Sequence, residues 1–323
     1  MKKVVFLFTI LFSICAFAQE KTSDNKVFDS YRDTLRSICK KLYSSKNNSE
    51  KQKHNQTLLK TFELALTTNN SFDYTFDSLP DIKILLSPDK TFKLFNWSIE
   101  NDDKTQEYFG FIQEKFIKIN KTGLFKKTTS ETIQLYQLID KSKDIKKPEN
   151  YVSDNKKWFG MWYYKIILKK SKSKTYYTLL GWDGNDKFSS KKIIDVLTFD
   201  YYGVPHFGAD IFVMEKKYPK RVIFEYAATC TMSLKYNEHK DSIVFDHLAP
   251  TEPQLEGQYQ YYCGDMSYDG FGFKNGNWNY GMDVNAVNEK DSKNKLYQDP
   301  RGIGSGRKES QLIVPARKKK KKK

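Results

Sequence analysis

The chain has 323 residues, 39% hydrophobic and 15% aromatic, which is enough apolar material for a sizeable core and argues against wholesale disorder. Its net charge of +16 is concentrated at the ends: seven positive charges lie in residues 317–323 and two in Lys2 and Lys3, leaving +7 spread along the rest. That distribution lacks the arginine-rich face of a nucleic-acid binder. No GxGxxG follows a strand and no GxxxxGK[ST] occurs, so nucleotide chemistry is not expected, and no cofactor is.

The chain opens MKKVVFLFTILFSICAFAQE, with a basic pair, an apolar run from Val4 to Phe17 and the small-x-small triplet Ala16-Phe17-Ala18. This reads as a signal peptide over residues 1–18, cleaved before Gln19. The run falls short of the about 20 residues that a membrane span needs, and no later segment is long and apolar enough. A lipoprotein alternative at Cys15 is opposed by the bulky Ile14 before it. Export to the periplasm or beyond is therefore the expected location.

Residues 19–70 read as a helical hairpin. Val27, Phe28, Tyr31, Leu35, Ile38, Cys39 and Leu42 form one apolar stripe, and Leu58, Leu59, Phe62 and Leu66 a second. Residues 71–145 read as strands. Ile82, Ile84 and Leu86 precede the turn Ser87-Pro88-Asp89-Lys90, and Phe92 and Leu94 follow it. EYFGFIQEKFIKI continues in the same manner. One short helix is predicted where Thr128 and Glu131 have capping-box spacing ahead of TIQLYQLID. The polar stretch KSKDIKKPENYVSDNKK, with Pro148, reads as a linker.

Residues 155–287 carry the strongest strand pattern. WFGMWYYKIILKK and TYYTLLGW, joined by SKSK, read as a hairpin. Val222 to Tyr236 has period-two alternation, with Val222, Phe224, Tyr226, Ala228, Cys230, Met232, Leu234 and Tyr236 on one face, and reads as a single long strand. Asn275-Gly276 between aromatic-rich runs is a strong hairpin signal. Residues 288–323 lack periodicity and read as a disordered basic tail able to touch anionic surfaces. The expected class is α+β: an N-terminal helical hairpin followed by a mainly antiparallel β domain, a sandwich or curled sheet. A small propeller-like repeat is the alternative, favoured by the spacing of the β segments but by no shared motif.

Export allows disulfides. After cleavage Cys39, Cys230 and Cys263 remain; Cys230 and Cys263 are the plausible pair because both fall in strand-like segments of one region, while Cys39 lies in a helical stripe. No CxxC, HExxH or GxSxG is present.

Asp183-Gly-Asn-Asp raises a calcium question, with Asp183 and Asp186 as weak metal candidates. Counting from Asp183, the sixth residue is Phe188 and the twelfth Ile194, where a calcium loop needs Gly and Glu. A turn is the better reading, and no metal is expected. His206 and His247 each stand near a carboxylate, Asp210 and Asp246, and with Asp265 they form a weak catalytic set. Glu225, Asp265 and Asp269 are carboxylates of the kind glycoside hydrolysis uses. Trp158, Trp162, Tyr259, Tyr261, Tyr268 and Trp278 are candidates for stacking on a sugar or anchoring a partner, with core packing as the competing explanation.

The segments YYTLLGWDGND with KKIIDVLTFD, RVIFEYAATCTMSLKYN with IVFDHLAP, and YDGFGFKNGNW resemble a group of uncharacterised secreted or periplasmic proteins of Bacteroidetes-type bacteria, over roughly residues 155–290. The resemblance implies an exported location and transfers no activity or site residue. The expected function is a non-catalytic envelope or secreted protein that binds a glycan or another envelope protein. The alternative is a secreted hydrolase using clustered carboxylates or a His–carboxylate pair.

Overall fold

The structure, a computed structural model, describes residues 25–122, 126–215 and 217–282, with side chains outside 117–130. The expected signal peptide and basic tail lie outside the described residues. The helical hairpin is present. Helix α1 (residues 25–44) buries Phe28, Leu35, Ile38, Cys39 and Leu42 of the stripe read from the sequence, with Tyr31 partly buried and Val27 exposed. Helix α2 (Asn48–Thr67) starts at Asn47, whose side chain accepts the Glu50 amide at 2.9 Å. It buries Leu58, Phe62, Ala65 and Leu66.

Three sheets follow. The first runs in the order β1 (Lys83–Leu86), β2 (Phe92–Glu100), β3 (Gln106–Thr122) and β4 (Lys126–Ile139), antiparallel throughout. The second holds β5 (Ser153–Asp154), β6 (Trp162–Ser171), β7 (Lys174–Asp183), β8 (Ser189–Phe199) and β9 (Pro205–Phe207) in the order β5-β9-β8-β7-β6. It also holds β11 (Val222–Ala227), which pairs with the first half of β8 while β9 pairs with its last three residues. The third contains β10 (Phe212–Val213), β12 (Leu234–Asn237), β13 (Ser242–Pro250), β14 (Tyr262–Lys274) and β15 (Asn277–Gly281), in the order β10-β15-β14-β13-β12. Only the short β10–β15 pair among these ladders is parallel.

Side-chain alternation stacks these elements as four layers. Odd-numbered Phe95, Trp97, Ile99 and Phe111 pack with the helices. Even-numbered Phe92, Leu94, Tyr108, Ile112 and Leu138 pack with Tyr163, Ile166, Tyr177, Leu179, Ile193 and Leu197 of the second sheet. The opposite face of that sheet, through Ile167, Leu180, Ile194 and Val196, packs on Phe212, Leu234, Ile243, Phe245, Phe271 and Trp278 of the third. The second sheet is thus covered on two sides, which explains its nearly unbroken apolar runs LLG and IIDVL. Asp195 falls inside one of these runs. It is fully buried, and Arg221 Nε approaches its Oδ2 at 3.0 Å.

Three readings of the sequence are corrected. The helix predicted after Thr128 is strand β4. Thr128 stands opposite Asn120 and Glu131 opposite Ile117, so pairing with β3 overrides a local capping signal. The long strand from Val222 to Tyr236 is two strands. The chain turns at Ala228–Cys230 and passes from the second sheet to the third. The alternation survives because Val222, Tyr226, Met232 and Leu234 all face one core from opposite sides. The stretch read as a linker is tied into the second sheet: β5 pairs with β9, and Arg221 Nη1 donates to the carbonyls of Pro148 and Tyr151.

Other readings hold. Lys172 and Ser173 make the two-residue turn between β6 and β7, with Lys172 at φ 54°. Asn275 and Gly276, at φ 53° and 82°, join β14 to β15. Cys230 and Cys263 form a disulfide with Cα atoms 5.8 Å apart, and Cys39 is a buried free thiol that burial pushes up to about 12. Among the described residues no helix is long and apolar enough to cross a membrane.

Candidate functional site

The five titratable candidates occupy separate places. His206 on β9 stands with Nε2 3.4 Å from Asp200 Oδ2. Asp210 is exposed and takes Lys220 Nζ on each oxygen at 2.8 Å. Asp246, His247 and Asp265 lie at an irregularity of the third sheet, where Asp246 pairs with Tyr268 and Leu248 with Gly264, so residues 265–267 bulge opposite His247. Asp246 Oδ2 accepts the Ser233 amide at 2.8 Å. Asp265 accepts the hydroxyl and amide of Ser267, which hold its carboxyl below the usual range. His247 Nδ1 lies 2.7 Å from Oδ2 of buried Asp269, and Tyr280 Oη donates to the same oxygen at 2.6 Å. The carboxylate facing His247 is therefore Asp269. Glu225 accepts the Ser189 hydroxyl at 2.6 Å.

The loop at Asp183 is built by local hydrogen bonds. Asp183 is buried, and its Oδ1 accepts Tyr108 Oη at 2.8 Å and the Asn185 amide at 2.7 Å. Asp186 Oδ1 accepts the amides of Phe188 and Ser189. Among the described residues no three His, Cys, Asp or Glu side chains gather as a metal set.

The aromatic candidates divide by burial. Trp158 and Trp278 are completely buried, with indole N–H groups donating to Tyr163 Oη and Thr178 Oγ1, so neither can stack on a ligand. Tyr259, Tyr261 and Tyr268 are 49%, 41% and 40% exposed, the first two in the turn that leads into β14 and the third on β14 itself. Trp162, the remaining candidate tryptophan, lines a pocket.

That pocket, of about 460 Å³, is lined by Trp162, Trp182, Lys192, Tyr43, Asp81 and Ser98. Trp162, Trp182 and Lys192 form one cross-strand row over β6, β7 and β8. Tyr43 reaches in from the last turn of α1, its hydroxyl donating to the Ser98 carbonyl at 3.3 Å. Trp182 is fixed by a hydrogen bond to Tyr226 and by Gly184, where an added Cβ would stand 2.9 Å from the indole ring. The Lys192 ammonium lies 5.0 Å from the centre of the Tyr164 ring, and burial lowers its affinity for the proton. The result is a concave site with flat aromatic walls and a few polar groups, in the size range of small-ligand sites. Trp182, Lys192 and Tyr43 escaped the sequence reading for a definite reason. The turn at Lys172–Ser173 sets a register that would place Trp162 opposite Asp183. An irregularity between Tyr163 and Lys165 shifts it by one residue and makes the two tryptophans direct cross-strand partners.

Compared with protein-family models, curated proteins and solved structures, the chain has no match in any of the three.

Proposed function

We propose that this chain is an exported, non-catalytic envelope or secreted protein that binds glycans through the Trp162–Trp182 pocket. The observation that carries the reading is the cross-strand tryptophan pair beside Lys192, Asp81 and Ser98. Flat indole faces stack on the apolar faces of sugar rings, while charged and hydroxyl groups at the margin take up hydroxyls. Exposed Tyr259, Tyr261 and Tyr268 offer a second contact surface, for a longer glycan or an envelope protein. Export is supported by the signal-peptide pattern and by the resemblance to secreted proteins of Bacteroidetes-type bacteria. The Cys230–Cys263 bridge suits an oxidising compartment. The basic tail would add contact with anionic surfaces.

Titration of the protein with oligosaccharides built from hexoses and N-acetylhexosamines, read by tryptophan fluorescence, tests this. A saturable change that disappears in Trp182→Ala supports the proposal, and a flat titration across the set argues against it. A second reading, a secreted hydrolase using a His–carboxylate pair, is favoured by the 2.7 Å contact between His247 and Asp269. Hydrolysis of ester or glycoside substrates that is lost in His247→Ala would establish it.

A further inference from the structure

A second cavity lies elsewhere, between the first and second sheets, and holds an anomaly that the glycan reading does not use. Glu114 of β3 points from the first sheet toward the second, directly opposite Phe92 and diagonal to Tyr136. Its side chain is buried, 8% of the residue being exposed, and Oε2 has no hydrogen-bond partner among the described residues. The Tyr136 hydroxyl is likewise buried without a partner among the described residues. Two unsatisfied polar oxygens in one region are unusual in a folded interior, where buried polar atoms are nearly always paired. The turn after β8 closes over them: a Cβ on Gly203, at φ 83°, would stand 2.3 Å from Phe116 Cζ and 3.1 Å from Glu114 Oε2.

Glu114 lines a cavity of about 700 Å³ together with Thr91, Tyr177 and Phe199. The rings of Phe92, Tyr177 and Phe199 form a mutual cluster beside it, with centroids 4.8 to 6.0 Å apart. The charge around the carboxyl is negative. Asp200 is near enough to disfavour ionisation of Glu114, and Asp89 accepts Tyr177 Oη at 2.7 Å. The nearby opposite charges are largely engaged: Lys220 holds Asp210, and His206 contacts Asp200. Lys174 at the rim is exposed. An anion would be repelled here. A divalent cation would need more oxygen ligands than these residues supply. A buried carboxyl without a hydrogen-bond partner among the described residues, beside the Tyr177 and Phe199 rings and near other carboxylates, fits a group that brings N–H donors and positive charge.

We propose that this cavity binds a primary ammonium group, with Glu114 as its counter-charge and the Tyr177 and Phe199 rings beside its carbon chain. Burial, reinforced by Asp200, raises the Glu114 carboxyl to about 8, so near pH 7 it is protonated before binding. Binding then expels one proton from Glu114 to solvent and leaves a carboxylate–ammonium pair. Tyr136, pushed up to about 12, stays neutral throughout.

Calorimetric titration of the full chain with n-butylammonium and with n-butanol, in buffers of different ionisation enthalpy, tests the assignment. Butylammonium should bind at least tenfold tighter than butanol. Its affinity should rise about tenfold per pH unit from 6 toward 8, with release of nearly one proton. Glu114→Gln should weaken it at least tenfold and abolish proton release. Equal binding of butanol, no butylammonium binding at pH 8.5, or no proton release by the wild-type protein would overturn the proposal, and the last two readings need no folded variant.

Discussion

Two buried ionisable residues set measurable stability terms. Glu114 keeps its proton to about pH 8 in the folded protein, whereas in the unfolded chain it ionises near 4.5. Between these values the folded state binds more protons than the unfolded state. Stability should therefore be full below about 4.5, fall as pH rises toward 8 and level off above it. The slope from this one residue is at most about 1.4 kcal/mol per pH unit. Urea midpoints at pH 5, 6, 7 and 8 should show it as the difference between the wild-type protein and Glu114→Gln, whose own profile should be flatter. Asp195 poses the opposite case, a buried carboxylate that is paired. Replacing Arg221 by Met strands its charge and should cost about 3–5 kcal/mol in denaturant unfolding, while adding Asp195→Leu should recover most of the loss. The Asp195–Arg221 pairing was invisible in the sequence because 25 intervening residues carry two further strands.

Among the elements, local chemistry was legible wherever a short-range rule decided the outcome. The helical stripes through Leu35, Cys39, Leu58 and Phe62, and the turns at Lys172–Ser173 and Asn275–Gly276, formed as their residues dictate. The reading failed where partners distant in sequence decided. Thr128 and Glu131 were recruited by β3, and the alternating run from Val222 was folded around a shared core. The disulfide sits just after that fold-back and ties the crossing segment to the start of β14, 33 residues on. Replacing Cys230 and Cys263 by Ser should cost about 2–4 kcal/mol, because the released loop regains entropy when unfolded. The loss should appear as a lower urea midpoint, matched by the wild-type protein under reductant and absent from a comparison made after reduction of each.

For the molecule as a whole, the sequence disclosed the class, helices followed by mainly antiparallel strands, but not the stacking of a helix pair on three successive sheets. That arrangement follows from strands with two buried faces, and period-two patterns do not announce which sheet a face will meet. The candidate pocket shared this fate. Trp162 was legible as an aromatic near a strand start, whereas Trp182, Lys192 and Tyr43 join it only through a shifted register and the end of a helix. Its use for glycan binding is tested most directly by a glycan array probed with the wild-type protein beside Trp182→Ala, each verified as folded by its urea transition. Selective binding by the wild-type protein, reduced at least tenfold in the variant, is the expected result. Binding that persists unchanged in Trp182→Ala, or no glycan retained by the wild-type protein, would contradict it.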